Sequence, residues 1–336
     1  MTTFAELTTI CVGGPINNLV TASTDAEIAD ALTADAFVLG GGSNLVVGDE
    51  PFDRRVIRIA TRGIDVHPAG ERVIVDAAAG EPWDEFVEFT VEQGWSGLES
   101  LSGIPGLVGA TPIQNVGAYG QDVASVISHV TVLDRRSGTV EALLGSACGF
   151  GYRTSRFKAE PDRWVVLAVS FGLHRGGQGP VRYEELAKAL GLQVEGSASA
   201  SAIREAVLHL RRSKGMVLSP DDPDTRSVGS FFLNPIVDSA VAASIPNCPR
   251  YPAAEGAKLS AAWLIEQAGI QRGFSLQTGE QRVRISTKHT LAIANSGRGS
   301  AADVLALASE VRRRVQESFG ILLDPEPILL NCTISA

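Results

Sequence analysis

Apolar and polar residues recur along the chain at spacings that predict helices in five places. Thr24 with Glu27 forms a capping box in front of an apolar run. Ser300 with Asp303 caps a long amphipathic stretch, and Gly320 is suited to end it. Three more stretches have helical spacing, and the first places a proline at its first helical position: residues 81–94, 199–215 and 258–269.

Short runs rich in β-branched residues predict strands, the third of them folded back as a hairpin: residues 55–60, 72–78, 129–143, 163–173 and 289–295. Strands and helices alternate without a strict βαβ rhythm, so the predicted fold class is α+β, or mixed α/β. Breaks near Thr61 and across the polar, proline-bearing residues 219–227 divide the chain into predicted segments 1–60, 61–213 and 214–320.

The composition is typical of a globular protein, with 44% apolar and 20% charged residues. A length of 336 residues predicts two or three domains. A formal net charge of -9 argues against nucleic acid as a partner, because polyanions require clustered Lys and Arg. The two basic clusters, at residues 211–214 and 312–314, are interpreted as solvent-facing helix surfaces.

The four cysteines are widely spaced without a CxxC pattern, which excludes a thiolate metal site and indicates reduced thiols. No metal is predicted. The first ten residues lack a basic region followed by an apolar core. The longest apolar stretch, residues 164–173, is about half a membrane span. We therefore expect a soluble, cytoplasmic protein that does not associate with membranes.

Residues 38–47, VLGGGSNLVV, place Gly40, Gly41 and Gly42 between two β-branched runs. Consecutive glycines let several backbone N–H groups point at one anion. The run lacks the GxxxxGK[ST] pattern of a P-loop, and a strand follows it where a dinucleotide fingerprint would open a helix. The pattern predicts a strand–loop–strand cradle for a pyrophosphate, and a tight hairpin on an ordinary sheet is the alternative.

A second glycine-rich segment, residues 103–120, reads GIPGLVGATPIQNVGAYG. It is too uncharged for a disordered linker and too rich in glycine for a packed helix. Loops of this length within compact chains are usually functional. The glycines would allow the backbone to approach a flat, phosphorylated ligand closely, and Gln114 and Asn115 could supply amide groups to a ring edge.

Three side chains outside these loops have the chemistry of an active site. Arg153 suits a carboxylate, because arginine binds carboxylates bidentately, and a surface ion pair is the alternative. Glu326 is flanked by prolines that fix its backbone direction, although it also suits a polar turn. Ser230 precedes Phe231 and Phe232, which would exclude water from a reacting carbon, and a strand-edge hydroxyl is the alternative.

Five motifs follow one another in the order of a known enzyme family: GGGSNLVV, IPGLVGATPIQNVGAYG, GYRTSRFK, GSFFLNP and LDPEP. Through these motifs, which extend over nearly the whole chain, it resembles the UDP-N-acetylenolpyruvoylglucosamine reductase family. The resemblance implies a flavin-binding fold of the vanillyl-alcohol oxidase (PCMH) type and an α+β substrate-binding domain. Residues 1–60 with 321–336 would form the first flavin-binding subdomain, residues 61–213 the second, and residues 214–320 the substrate-binding domain.

The resemblance also implies roles for individual residues. Arg153 and Glu326 would stabilise charge on the substrate carboxylate, and Ser230 would deliver a proton to carbon. Non-covalently bound FAD would contact both glycine-rich segments: Gly40, Gly41, Gly42, Ser43, Asn44, Gly103, Gly106, Gly109, Asn115, Gly117, Ala118 and Tyr119.

For the substrate, the resemblance implies binding by Lys214, Asn234 and Tyr183, the last being the tyrosine of the longer, type I subtype. NADPH would serve as reductant, and UDP-N-acetylglucosamine enolpyruvate would be reduced to UDP-N-acetylmuramate for peptidoglycan synthesis. His289 is expected to form a structural hydrogen bond rather than to act in catalysis. We expect a monomer.

Two other functions stay open. One is an oxidase of the same flavin fold that acts on an alcohol. Such enzymes often tether the flavin through histidine or cysteine, and neither occurs in residues 38–48 or 103–120. The other is a non-catalytic nucleotide-sugar-binding protein, which a bound flavin would exclude.

Overall fold

A computed structural model describes residues 1–253, 255–276 and 279–334. Within these residues the helices are α1 (Asp25–Ala31), α2 (Trp83–Glu92), α3 (Arg156–Ala159), α4 (Glu184–Ala189), α5 (Ala200–Ser213), α6 (Ser239–Ala243), α7 (Ala261–Gln267) and α8 (Ala301–Phe319). The strands are β1 (Leu19–Ala22), β2 (Phe37–Leu39), β3 (Leu45–Val47), β4 (Val56–Ile59), β5 (Ile64–Ala69), β6 (Arg72–Ala78), β7 (Trp95–Ser96), β8 (Gly117–Ala118), β9 (Gln121–Asp122), β10 (Ile127–Asp134), β11 (Thr139–Leu144), β12 (Trp164–Arg175), β13 (Gln178–Val181), β14 (Gly196–Ser199), β15 (Ile236–Val237), β16 (Arg250–Tyr251), β17 (Ala257–Leu259), β18 (Val283–Ile285), β19 (Ile293–Asn295) and β20 (Ile328–Leu330).

The chain divides into two compact units. Unit 1 consists of residues 1–16, 42–52 and 214–336, and unit 2 of residues 17–41 and 53–213. One division falls between Ser213 and Lys214, where the sequence also places a segment boundary. The division into two flavin-binding subdomains and a substrate-binding domain stays a prediction, and residues 335 and 336 of its first subdomain lie outside the described residues.

Unit 2 is built on an antiparallel sheet with the strand order β11-β10-β12-β6-β5, and β7 pairs with β12. Side chains alternate along β6, so Val73, Val75 and Ala77 are buried on one face. They join Trp83 and Phe86 of α2 in the main core of the unit. A smaller parallel sheet has the order β1-β4-β2, and α4 and α5 enclose a separate apolar cluster.

Unit 1 joins pieces that are distant in sequence. Strand β3 pairs in parallel with β20, so that Leu45 lies opposite Ile328. Phe231 and Phe232 are buried in the core of this unit together with apolar residues of α7 and α8. Strands β18 and β19 form an antiparallel pair, and β15-β17-β16 is a small antiparallel sheet.

The structure confirms the mixed α and β fold class and several local signals. The Ser300–Asp303 capping box opens α8, and Gly320 ends it in the left-handed conformation with φ 68°. The position predicted for Pro82 is wrong by one residue, because Pro82 is the N-cap of α2 and Trp83 is its first helical residue.

The solvent-facing interpretation of residues 312–314 is wrong for one arginine. Arg312 is only 7% exposed, and its Nε donates to the carbonyl of Leu323 at 3.0 Å. Its neighbours Arg313 and Arg314 do reach the surface, where both pair with Glu310. The three consecutive arginines therefore lie on different sides of α8, and Arg312 donates a hydrogen bond to a buried carbonyl.

Candidate functional site

Two of the three consecutive glycines are required by close backbone packing. A β-carbon on Gly41 would lie 2.8 Å from the Cα of Gly106, and one on Gly42 would lie 2.0 Å from the carbonyl oxygen of Leu7. Gly42 also has φ +59°. A β-carbon on Gly40 would meet nothing closer than 3.9 Å, so packing within the protein does not explain that glycine. A bound group lying against the backbone would explain it.

The strands on either side of this loop exclude the hairpin alternative. Strand β2 precedes the glycines and pairs with β4, whereas β3 follows them and pairs with β20. The predicted strand–loop–strand arrangement is present, but its two strands belong to different sheets. After the glycines, the carbonyl of Ser43 accepts a hydrogen bond from Thr9 Oγ1 at 3.5 Å.

The start of α2 holds the second glycine-rich segment. The backbone N–H of Gly103 donates to Asp84 Oδ1 at 2.6 Å, and Gly106 accepts a 3.0 Å hydrogen bond from the first residue of α2. A β-carbon on Gly109 would lie 2.5 Å from Cβ of Ala79, so this backbone also packs closely on its support. Residues 103–109 are thereby fixed within unit 2 by the Asp84 side chain and by contacts with other backbone segments.

Arg153 occupies the third position of a tight turn in unit 2. Gly151 and Thr154 exchange backbone hydrogen bonds of 3.1 and 3.4 Å. Arg153 has φ 52°, a left-handed conformation that glycine and asparagine adopt more readily. Its Nη2 donates to the carbonyl of Gly117 at 2.9 Å. The guanidinium is therefore directed at β8, where Gly117 and Ala118 pair with β9.

Tyr119 and Tyr183 form an aromatic pair in the same unit. Their ring centroids are 5.6 Å apart and the rings are nearly perpendicular, at 89°. Burial raises the pKa of Tyr119 to about 12, and the positive charge of Arg211 acts in the opposite direction. Burial also lowers the pKa of Arg211, which is half-buried, so the solvent-facing interpretation of residues 211–214 is incomplete for this arginine. Two phenols and a cation could together bind an anionic ligand.

Three predicted motifs come together in unit 1. Ser230 forms a β-bridge with Ala292, and the next residue, Phe231, accepts a 2.8 Å hydrogen bond from the backbone N–H of Glu326. Asn44 Nδ2 donates to the carbonyl of Glu326 at 3.4 Å. Ser230 and Glu326 therefore lie on adjacent extended segments, and both are half-buried.

The remaining predicted residues of unit 1 have mixed surroundings. Lys214 follows the last residue of α5 and is half-buried. The side-chain oxygen of Asn234 accepts a hydrogen bond from the N–H of Ala261 at 2.9 Å, at the start of α7. Nδ1 of His289 accepts one from the N–H of Leu291 at 3.1 Å, which confirms a structural hydrogen bond for this histidine.

Models of two known domain families match the N-terminal and the C-terminal parts of the chain. A model of the FAD binding domain matches residues 15–143, and a model of the UDP-N-acetylenolpyruvoylglucosamine reductase C-terminal domain matches residues 221–330. A UDP-N-acetylenolpyruvoylglucosamine reductase of Streptomyces coelicolor is 48% identical over 98% of this chain and 89% of its own. One of Nocardia farcinica is 50% identical over 97% of this chain and 88% of its own. The chain belongs to the UDP-N-acetylenolpyruvoylglucosamine reductase family.

A solved structure of this reductase family agrees with the fold. The crystal structure of the enzyme (MurB) from Thermus caldophilus is 28% identical and has a TM-score of 0.69, covering 98% of this chain and 97% of that chain. Family membership and the FAD binding domain together make the chain an FAD-dependent oxidoreductase. The glycine loops fit such a cofactor, because the side of Gly40 is left open while Gly41 and Gly42 bring the backbone close to its supports.

Sequence reasoning missed a charged cluster beside Lys214. Asp224 is 3% exposed and accepts hydrogen bonds from Arg284 Nη2 at 3.2 Å and from the N–H of Thr287 at 3.3 Å. A β-carbon on Gly215 would lie 3.3 Å from Cβ of Asp224, so the cluster packs against the residue that follows the lysine. The partners are about 60 positions apart in the chain, and no local pattern in the sequence reports them.

Within residues 1–253, 255–276 and 279–334, no group of His, Cys, Asp or Glu side chains is arranged to hold a metal ion. None of the helices in the described part of the chain is both long and apolar enough to span a membrane. The four cysteines are free thiols.

Proposed function

We propose that the chain reduces UDP-N-acetylglucosamine enolpyruvate to UDP-N-acetylmuramate, with NADPH as the reductant, in peptidoglycan precursor synthesis. Relatives with 48% and 50% identity along nearly the whole chain carry the reductase name. The observation that carries the proposal is the backbone pairing of the GSFF and DPEP motifs in unit 1, with Ser230 and Glu326 on adjacent segments.

The proposed chemistry divides between electrostatic stabilisation and proton delivery. As hydride adds to the terminal methylene carbon of the enolpyruvyl group, negative charge develops on its carboxylate. Arg153 stabilises that charge, and Glu326 assists when it is protonated or hydrogen-bonded, since two bare carboxylates would repel. Ser230 donates a proton to the adjacent carbon, which completes the lactyl ether. The buried pair Phe231 and Phe232 keeps water from that carbon.

The glycine-rich segments would hold the cofactor, through the residues named above from Gly40 to Asn44 and from Gly103 to Tyr119, except Asn115, because both ends of its side chain bind backbone groups of the protein. FAD, when bound there, supplies the hydride after accepting it from NADPH. The role of the protein is to bind and orient: the loop after β2 leaves its backbone open at Gly40, and α2 holds Gly103 in place.

For the substrate, we propose that Tyr183, Lys214 and Asn234 bind the nucleotide part. Tyr183 is 42% exposed beside Tyr119, which suits a side chain that covers a ligand. This tyrosine supports membership of the longer, type I subtype. We further propose a cytoplasmic monomer in which residues 1–60 with 321–336 and residues 61–213 bind FAD and residues 214–320 bind the substrate, in a role in cell wall formation, cell shape and division.

The proposal is tested by following flavin absorbance in two steps. NADPH added without oxygen should bleach the flavin, and UDP-N-acetylglucosamine enolpyruvate should restore it with formation of the lactyl ether. In deuterated water the product should carry solvent deuterium at the carbon that receives the proton. Bleaching by an alcohol instead of NADPH would favour the oxidase, and a purified protein without flavin would favour a nucleotide-sugar-binding protein.

A further inference from the structure

The conformation of Arg153 is unusual for its position. Glycine or asparagine normally occupies the third position of a tight turn when that position has positive φ. Arg153 holds φ 52° there, a conformation that is strained for a residue other than glycine. Such a conformation persists only when the surrounding structure holds it.

Asn115 contacts the turn directly. Its Nδ2 donates to the carbonyl of Gly151 at 3.1 Å, the same carbonyl that receives the N–H of Thr154 across the turn. Its Oδ1 accepts the N–H of Ala124 at 3.1 Å. Asn115 is 6% exposed and has φ 48°, so its side chain is enclosed and both ends bind backbone. One buried amide therefore links the segment before β8, the segment after β9 and the turn that carries Arg153.

Two further hydrogen bonds hold the turn of Arg153 and the residue that follows it. Ser155, which is 2% exposed, donates from Oγ to the carbonyl of Ile113 at 2.5 Å. Lys158 Nζ donates to the carbonyl of Arg153 at 3.0 Å. With the contact between Arg153 Nη2 and Gly117, residues 113–117 and 151–155 are joined at Ile113, Asn115 and Gly117 along one segment.

We propose that Asn115 is a positioning residue for Arg153, which fixes the direction of the guanidinium by holding the carbonyl of Gly151. This inference rests on the proposed function, in which Arg153 stabilises charge on the substrate carboxylate. The sequence predicts that Asn115 contacts FAD. A residue that only bound FAD would affect both half-reactions, whereas a positioning residue for Arg153 should affect only reoxidation by the substrate.

The test uses the flavin-loaded full chain, NADPH and UDP-N-acetylglucosamine enolpyruvate. Asn115→Asp keeps the acceptor for Ala124 and tolerates the left-handed conformation, but it replaces the donor to Gly151 with an acceptor. Asn115→Gly keeps the backbone conformation and removes both contacts, and it serves if the aspartate variant does not fold. Asn247→Asp is the matched control, because Asn247 is an exposed asparagine of unit 1 with φ 67°.

Asn115→Asp should retain FAD and be reduced by NADPH at the normal rate, and its reoxidation by substrate should slow by roughly 10–100-fold, the cost of misplacing a stabilising group. In the Arg153→Ala background the same change should alter reoxidation by no more than about twofold, because the group it positions is already gone. Asn247→Asp should match the wild type in both steps.

Three results would overturn the inference while leaving the role of Arg153 intact. The first is wild-type reoxidation in both Asn115 variants. The second is an equal loss in the two half-reactions or a loss of FAD, which would make Asn115 a cofactor-binding or purely structural residue. The third is a double variant whose reoxidation slows by the product of the two factors measured for the single variants. Normal reoxidation in Arg153→Ala alone would instead reject the proposed role of Arg153, and the positioning role with it.

Discussion

Unit 1 and unit 2 hold their candidate residues by different means. In unit 1, Ser230 and Glu326 are placed by backbone pairing, because residues 230–233 bond to residue 291 on one side and to residues 324–326 on the other. In unit 2, Arg153 and Tyr119 each lie in a tight turn in the left-handed conformation, and the side chain of Asn115 adds hydrogen bonds to the turn of Arg153 and to Ala124.

The difference has consequences for substitution. Backbone pairing does not depend on the side chain that a residue carries, so replacing Ser230 should remove its chemistry and leave its neighbours in place. Loops held by side-chain amides depend on those amides, so positions that never touch a ligand should alter the chemistry of unit 2. A substitution in unit 1 should therefore remove the function of the replaced residue alone. A substitution in unit 2 should also change the function of neighbouring residues that the replaced side chain holds.

The largest effect is expected at the glycine loop. Gly41→Val would place side-chain atoms against the backbone of Gly106, where even a β-carbon would lie 2.8 Å from Cα. The loop must then move, and the variant should lose FAD and unfold at lower temperature. Gly40→Ala is the matched comparison, because its β-carbon meets nothing within 3.9 Å, and it should weaken FAD binding without lowering the unfolding temperature. Full FAD occupancy in purified Gly41→Val would remove this loop from the cofactor site.

Ser230→Ala should give the cleanest loss in unit 1. Reduction of the flavin by NADPH needs no proton on substrate carbon, so that rate should stay near the wild-type value. Reoxidation by UDP-N-acetylglucosamine enolpyruvate should slow by about 10²–10⁴, the usual contribution of general acid catalysis. Ser230→Cys should recover part of the rate, since a thiol also donates a proton. Stopped-flow flavin absorbance measures both steps, and an unchanged reoxidation rate in the alanine variant would exclude Ser230 from proton delivery.

Arg153→Ala should slow the reoxidation step by about 10²–10³, the loss typical of one stabilising donor. Reduction of FAD by NADPH and its reoxidation by an artificial acceptor should change much less. Arg153→Lys should recover little, because a lysine cannot reproduce the planar, bidentate contact with a carboxylate. If every assay fell by the same factor, Arg153 would be a structural residue that holds β8 through Gly117.

Much of the site was predictable because its parts carry strong local signals. The glycine triplet, GSFF and DPEP are readable as motifs, and the capping box of α8 follows from Ser300 and Asp303. Local signals do not show why the structure requires a glycine at each of these positions. Consecutive glycines suggest unusual backbone angles, yet Gly42 has the positive φ and Gly41 is required by the approach of Gly106, which lies far along the chain.

Side-chain contacts between distant segments were equally hidden. Nothing near Asn115 in sequence reports that its amide binds Gly151, which is 36 positions away. Arg211 belongs to a basic run that the sequence predicts to be exposed, but in the structure it is partly buried and its charge acts on Tyr119. In both cases the tertiary fold decides the role, and a pattern read along the chain has no access to it.

The smallest expected effect concerns the protonation of Tyr119 in unit 2. Burial raises its pKa to about 12 in the folded protein, whereas an unperturbed tyrosine ionises near pH 10. The unfolded chain therefore loses this proton first, so the contribution of Tyr119 to stability is complete below pH about 10 and is lost as pH rises toward 12. Tyr119→Phe has no such proton. From pH about 9 to about 11 its free energy of unfolding should fall less than that of the wild type, by about 1 kcal/mol. Urea unfolding at the two pH values measures the difference.

Arg211→Gln should move the pKa of Tyr119 higher still, because the cation that opposes the shift is removed. An identical alkaline loss in wild type and Tyr119→Phe would mean that burial does not raise the pKa of Tyr119 in the folded protein.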